Sequence, residues 1–243
     1  MINTTKINGT VDQIGAEERV KRLFSRSIKK ESKVNALHLV LSMLDLTTLE
    51  GKDSPGKIRQ LCYKAAHLHD CYPDIPQVAA VCVYPNLVRV AKESLVGTSI
   101  NVASVATGFP SGMSTVDEKL AEVRKVVKDG ADEVDMVLSI GALKSHEEDL
   151  VYTDIRCVAE LVHSTHRILK VILETSLLSN QEKVLACVLS KLAGADFVKT
   201  STGFGVPGAN IHDVALMHSL VGGGSTRWAR FDELRFIMKA PLP

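Results

Sequence analysis

From about residue 43 onward, short apolar segments alternate with longer stretches of helical periodicity, and no other feature constrains the fold so tightly. The apolar segments fall at residues 43–47, 78–84, 101–107, 133–138, 169–175, 196–200 and, with a weaker pattern, 234–239. Alternation of this kind joins parallel strands through helical crossovers, so the chain reads as α/β. The helices carry their own punctuation. Ser54-Pro55 supplies an N-cap and a first-turn proline ahead of Ile58, Leu61 and Ala65. Ser114-x-x-Asp117 and Ser179-x-x-Glu182 read as capping boxes. Val116, Leu120, Val123 and Val127 form the inward stripe of the first of these helices, and Val184, Val188 and Leu192 that of the second. Gly130 and Gly194 close the two helices. Asn210-x-x-Asp213 opens another helix through Val214 and Met217.

Three of the apolar segments contain ionisable groups in the same kind of place. A two-residue period puts Phe197, Lys199 and Ser201 on one face of their strand. It puts Asp135 with Val137, opposite Val134 and Met136. It sets Lys170, Ile172 and Glu174 opposite Leu169, Val171 and Leu173. Each strand therefore aims charge away from its most apolar face. A buried ammonium is costly unless it is paired or kept neutral, and a neutral amine is a nucleophile for carbonyl groups.

A closed barrel gathers the C-terminal ends of its strands around one site, which suits inward charges from several strands. An open nucleotide-binding sheet would need a glycine-rich turn after its first strand, and the chain has no Gly-x-Gly-x-x-Gly and no Walker loop. The expected fold is a TIM-type (β/α)8 barrel, incomplete at its C-terminal end. Seven strands are readable where a barrel of this type has eight. Ala240-Pro-Leu-Pro243 offers no further strand, because proline cannot donate to the ladder. Three expectations stand side by side: the chain is truncated, another chain (a second copy in a homodimer among them) closes the edge, or the C-terminal segment closes it irregularly. Residues 1–243 are expected to form a single barrel domain, with 1–36 as an N-terminal helical extension and 222–243 as a divergent C-terminal segment. The helix of that extension covers 16–28, with Val20, Leu23 and Phe24 on its inward side.

Composition excludes several classes of function. With 45% hydrophobic and 23% charged residues and a net charge of +1, the chain has the make-up of an ordinary soluble protein and no broad field to recruit nucleic acid or an anionic membrane. The basic residues Lys21, Arg22, Arg26, Lys29 and Lys30 are diluted by Glu17, Glu18 and Glu31, as on a solvated helix face. Cys62, Cys71, Cys82, Cys157 and Cys187 show no metal or disulfide pattern, and the histidines have no metal spacing. A cytoplasmic protein with reduced thiols, no metal and no cofactor is the expectation. Cys82 reads as a small core residue beside the site, not a nucleophile.

Six blocks, in order, carry a family resemblance: Leu44-Asp-Leu-Thr-Thr-Leu49, Ala80-Val-Cys-Val-Tyr-Pro85, Val105-Ala-Thr-Gly-Phe-Pro110, Gly130-Ala-Asp-Glu-Val-Asp135, Lys170-Val-Ile-Leu-Glu-Thr175 and Gly194-Ala-Asp-Phe-Val-Lys-Thr-Ser-Thr-Gly203. Together they resemble the deoxyribose-phosphate aldolases, metal-free class I enzymes that work through a lysine Schiff base. The resemblance implies cleavage of 2-deoxy-D-ribose 5-phosphate to glyceraldehyde 3-phosphate and acetaldehyde in deoxyribonucleotide breakdown. It implies Lys199 as the Schiff-base lysine, Asp135 in proton transfer and Lys239 as the second lysine that lowers the pKa of the first. It implies that Cys82, Thr202 and Gly203 line the substrate site, while Asp45 and Lys170 hold its shape and charge. The family's two phosphate-binding glycines after the second lysine are replaced here by Pro241-Leu-Pro243, and no Gly-Ser-rich turn follows. That departure supplies the alternative expectation: an impaired aldolase fold acting as a macromolecular binding protein.

Overall fold

A computed structural model describes residues 13–69, 72 and 74–221. Two helices, α1 (Gln13–Phe24) and α2 (Lys30–Ser42), lead into six strands: β1 (Asp45–Thr47), β2 (Ala80–Val83), β3 (Asn101–Ala106), β4 (Glu133–Val137), β5 (Ile168–Ile172) and β6 (Phe197–Lys199). Between and after them lie α3 (Pro55–Ala66), α4 (Val88–Ser94), α5 (Val116–Asp129), α6 (Ile140–Lys144), α7 (Glu148–Ser164), α8 (Asn180–Ala193) and α9 (Ile211–Val221). All neighbouring strands are parallel, in the order β1-β2-β3-β4-β5-β6. The expected α/β barrel architecture is present, and the described residues supply six of its strands. The seventh expected strand, at 234–239, lies outside the described residues, as do Lys239 and the rest of the 222–243 segment.

The sheet must be strongly curled, and one side chain shows it. Lys170 on β5 reaches Asp45 on β1 at 2.5 Å. In a flat sheet, strands four intervals apart would be separated by roughly 19 Å, far beyond a side chain's reach. Curling divides the apolar residues in two. Those on the outer face, such as Val81, Val102, Val134, Met136, Leu169 and Val171, join the helices in the main core. A smaller cluster of Leu49, Ala80, Cys82, Ala103 and Val105 lines the inner face.

The helix signals hold with three shifts. Ser54 caps α3, accepting from Lys57 N at 3.3 Å, with Pro55 in the first turn. Ser179 and Glu182 form the expected box on α8, and Gly194 closes it at φ 97°. On α5 the box is one residue later than expected. Thr115 accepts from Glu118 N, and the Glu118 carboxylate takes Thr115 N at 2.8 Å. Ser114 is instead packed under the Gly108 turn, where a Cβ on Gly108 would lie 2.7 Å from its Oγ. The expected inward stripes also rotate: Leu192 is exposed on α8, where Leu189 and Ala193 are buried instead. Leu23 and Phe24 of α1 are exposed too, and only Val20 of that trio is buried. The sequence period located these helices but not the neighbour each face would meet. Finally, β5 stops at Ile172, short of the expected Thr175, because Glu174 takes a left-handed conformation (φ 52°, ψ 64°) that turns the chain into a 3₁₀ segment, Thr175–Leu177.

Candidate active site

The inner face of the curled sheet holds a charge cluster drawn from four strands. Asp45 comes from β1, Glu133 and Asp135 from β4, Lys170 from β5 and Lys199 from β6. Register explains the meeting: Asp135 is level with Lys170, and Ile172 with Lys199. Lys170 Nζ donates to Asp45 Oδ2, 2.5 Å away, and lies 2.7 Å from Glu133 Oε2 and 3.3 Å from Asp135 Oδ1. Asn101 holds the other Glu133 oxygen with a 2.8 Å bond from its Nδ2. Lys199 Nζ donates to Asp135 Oδ2. The Cys82 thiol faces that same oxygen at 3.8 Å.

Asp45, Glu133, Asp135 and Lys170 are wholly buried, whereas Lys199 keeps 9% of its surface exposed at the C-terminal end of its strand. Burial by itself pushes the Asp135 carboxyl up. The Lys170 and Lys199 ammonium groups outweigh it and hold Asp135 below its ordinary value. For Lys170 burial favours loss of the proton, yet Asp135, Asp45 and Glu133 outweigh burial and raise it well above the ordinary lysine range. Lys170 is thus a fixed cation. Burial, and then the Asp135 charge, push the Cys82 thiol up to about 12, so it is no thiolate at neutral pH.

Around this cluster lies an apolar wall, with Tyr84 and Phe109 packed on the inner apolar residues. The rings of Tyr84 and Phe109 meet edge-on at 6.0 Å, and Phe109 meets Phe204 likewise at 5.6 Å. These rings come from the segments after β2, β3 and β6, so they bridge the sheet at its C-terminal side. Thr202 is buried, its hydroxyl bonded to Glu174 and accepting from Phe204 N at 3.1 Å. Gly203 is exposed at φ 84°.

A lysine at a strand's end, paired to a buried carboxylate beside an apolar wall, has the chemistry that an imine-forming site needs. Comparison with known proteins gives the family. The DeoC/LacD family of aldolases matches residues 39–226. The chain belongs to this aldolase family. It is 47% identical over 179 residues to a protein named deoxyribose-phosphate aldolase from Aciduliprofundum boonei, covering 74% of this chain and 77% of that one. It is 44% identical over 183 residues to the deoxyribose-phosphate aldolase of Thermotoga maritima, covering 75% and 69%. Among solved structures it resembles the deoxyribose phosphate aldolase of Aeropyrum pernix, with a TM-score of 0.63 and 28% identity over 74% of this chain and 72% of that one. It also resembles an aldolase called QR15, with a TM-score of 0.68 and 32% identity over 76% and 77%.

Within this aldolase, five of the residues singled out in the sequence meet in one cluster: Lys199, Asp135, Lys170, Asp45 and Cys82. Thr202 and Gly203 lie on the loop after β6, where Thr202 bonds to Glu174 and not to a member of the cluster. Lys239 lies outside the described residues. The sequence reading passed over Glu133 and Asn101. The signal for Glu133 was present, since it stands two residues before Asp135 and so on the same face. Asn101 had no such signal; only the β3–β4 packing pairs it with Glu133. Among the described residues no group of His, Cys, Asp and Glu is arranged to hold a metal ion, and no helix is long and apolar enough to cross a membrane.

Proposed function

We propose that this chain is a class I deoxyribose-phosphate aldolase in which Lys199 forms the imine and Asp135 moves the protons. The observation that carries the reading is the contact between Lys199 Nζ and Asp135 Oδ2. The sequence left two readings of Lys199, a free amine or half of an ion pair with Asp135 or Glu174; the geometry presents the pair with Asp135. The Lys199 ammonium must first give up its proton, and solvent takes it, because Asp135 is held below its ordinary value and is a weak base. The free amine then adds to C1 of the open-chain sugar. A proton relayed from solvent along Asp135 reaches the departing hydroxyl, water leaves, and a protonated imine remains.

The imine withdraws electrons as the C2–C3 bond breaks. The C3 hydroxyl passes its proton through water to Asp135, glyceraldehyde 3-phosphate departs, and an enamine is left on Lys199. Protonation at C2 and addition of water release acetaldehyde and restore the amine. Lys170 and Asp45 act through Asp135, being too deeply buried to touch the sugar. With Lys170 locked as a cation, Asp135 is oriented and its charge offset without a second mobile proton. The apolar wall of Leu49, Val105 and Phe109 suits the two-carbon unit, and Thr202 and Gly203 border the rest of the substrate.

Acetaldehyde followed by borohydride should leave a two-carbon adduct on Lys199, located by peptide mass spectrometry. Lys199→Leu should abolish both the adduct and turnover of 2-deoxyribose 5-phosphate. Turnover by that variant, or a folded parent without adduct, overturns the reading. The latter result, with a partner protein bound instead, would favour the interaction-protein alternative.

A further inference from the structure

We infer that Glu174 is a positioning residue for the loop that follows Lys199. It fixes where the departing three-carbon half of the substrate sits, without acting on the lysine itself. The inference rests on the aldolase reading above but has its own observations. Glu174 follows β5, is buried, and has a left-handed backbone at φ 52°, ψ 64°. Glutamate seldom adopts that conformation, and residues held in it cluster where the surroundings enforce a particular geometry.

What the conformation achieves is visible in its contacts. One carboxylate oxygen, Oε2, accepts both from Thr202 N at 3.1 Å and from the Thr202 hydroxyl. The other, Oε1, accepts from Ser176 Oγ at 3.4 Å. The chain then passes directly over the carboxylate: a Cβ built on Gly205 would lie 3.2 Å from Glu174 Oε1 and from Ser176 Oγ. Backbone bonds tie the same two segments, from Leu173 N to Lys199 O at 2.9 Å and from Thr175 N to Thr200 O at 2.8 Å. Glu174 is thus the side-chain anchor of residues 202–205, three to six positions beyond the imine lysine. Its side-chain hydrogen bonds go to Thr202 and Ser176 and not to Lys199 or Asp135. The exposed parts of this loop, Gly203 and Phe204, stand at the C-terminal side of the sheet, beyond Lys199. A substrate joined to Lys199 through C1 must extend past them.

The experiment compares Glu174→Gly with Glu174→Gln. Glycine tolerates the left-handed backbone, so the first variant removes the carboxylate without straining the fold. Glutamine retains a carbonyl oxygen that can take both Thr202 bonds, and its amide can donate to Ser176. Glu174→Gly should raise KM for 2-deoxyribose 5-phosphate by roughly tenfold, with kcat reduced less, as a displaced substrate contact would require. Borohydride trapping of acetaldehyde on Lys199 should stay within about twofold of the parent, and Glu174→Gln should restore KM. Amide exchange at Thr202 and Phe204 should accelerate in Glu174→Gly and not in Glu174→Gln.

Parental KM in Glu174→Gly overturns the inference, and so does equal damage in both variants. Loss of trapping in Glu174→Gly also overturns it, because Glu174 would then act on Lys199. A parent that is never trapped defeats the aldolase reading instead. In that event the exchange data alone decide whether Glu174 anchors the loop, and parental exchange rates in Glu174→Gly refute it.

Discussion

Lys170 Nζ on β5 lies 2.5 Å from Asp45 Oδ2 on β1, so one buried ammonium ties together two strands four places apart in the described sheet. The same nitrogen neighbours Glu133 and Asp135. Lys170→Met should therefore leave three buried carboxylates with Lys199 as their nearest cation. Breaking a buried pair from one side costs about 3–5 kcal/mol, and denaturant unfolding should show a loss of that order. A loss under about 1 kcal/mol would mean that the cluster does not hold the sheet closed.

The cluster also sets a pH dependence. Asp135 is held below its ordinary value, so its pairing contributes stability that is present above the unfolded pKa, near 3.8, and lost as pH falls through the lower folded value. Lys170 is raised well above 10.5, so its contribution is complete below that pH and disappears only as pH climbs through the folded value. Stability should fall on the acid side below about pH 4. Asp135→Asn should flatten that acid limb in thermal unfolding measured across pH. An unchanged acid limb would show that Asp135 is not its source.

Lys119 of α5 and Asp154 of α7 form a second buried pair, 2.5 Å apart, far from the sheet interior. Its removal from one side, as in Lys119→Ala, should destabilise by about 3–5 kcal/mol. Replacing both partners together, Lys119→Met with Asp154→Leu, should recover most of the loss and leave turnover unchanged. Chemical denaturation of the two variants and the parent tests the contrast; equal losses would contradict it.

Gly112 carries a further constraint. At φ 69° its absent Cβ would lie 2.8 Å from Leu138 O and 2.9 Å from Val137 O, both backbone atoms at the end of β4. Gly112→Ala should cost about 1–3 kcal/mol through left-handed strain, plus the contact. It should disturb turnover as well, because the segment it would push ends the strand that carries Asp135. A fully stable Gly112→Ala would show that the turn yields easily.

Cys82, with its thiol at about 12, should resist alkylation in the folded protein and react only on unfolding. Cys82→Ala should keep turnover within a few-fold of the parent while losing about 1 kcal/mol of stability from the vacated volume. Rapid alkylation of Cys82 at neutral pH, or loss of turnover in Cys82→Ala, would contradict its place as a buried bystander.

Local pattern alone located the six described strands, five of the helices and the sidedness of the charged strands. A two-residue period sends Asp135, Lys170 and Lys199 to the face opposite Val134, Leu169 and Val198, because successive side chains on a strand must alternate. It determined the start of α3 at Ser54-Pro55 and both ends of α8, because capping satisfies backbone groups locally. It could not determine which face of α1 or α8 would be covered, nor that β5 would stop before Glu174. Only the tertiary structure decided those, together with the pairings of Lys170 with Asp45 and of Glu174 with Thr202. Residues 125 and 28 positions apart in the chain meet because the sheet curls and adjacent loops pack, and no local pattern encodes that distance. The partner of Lys199 was decided there as well: the sequence allows a free amine or a pair with Asp135 or Glu174, and the curl brings Asp135 against it.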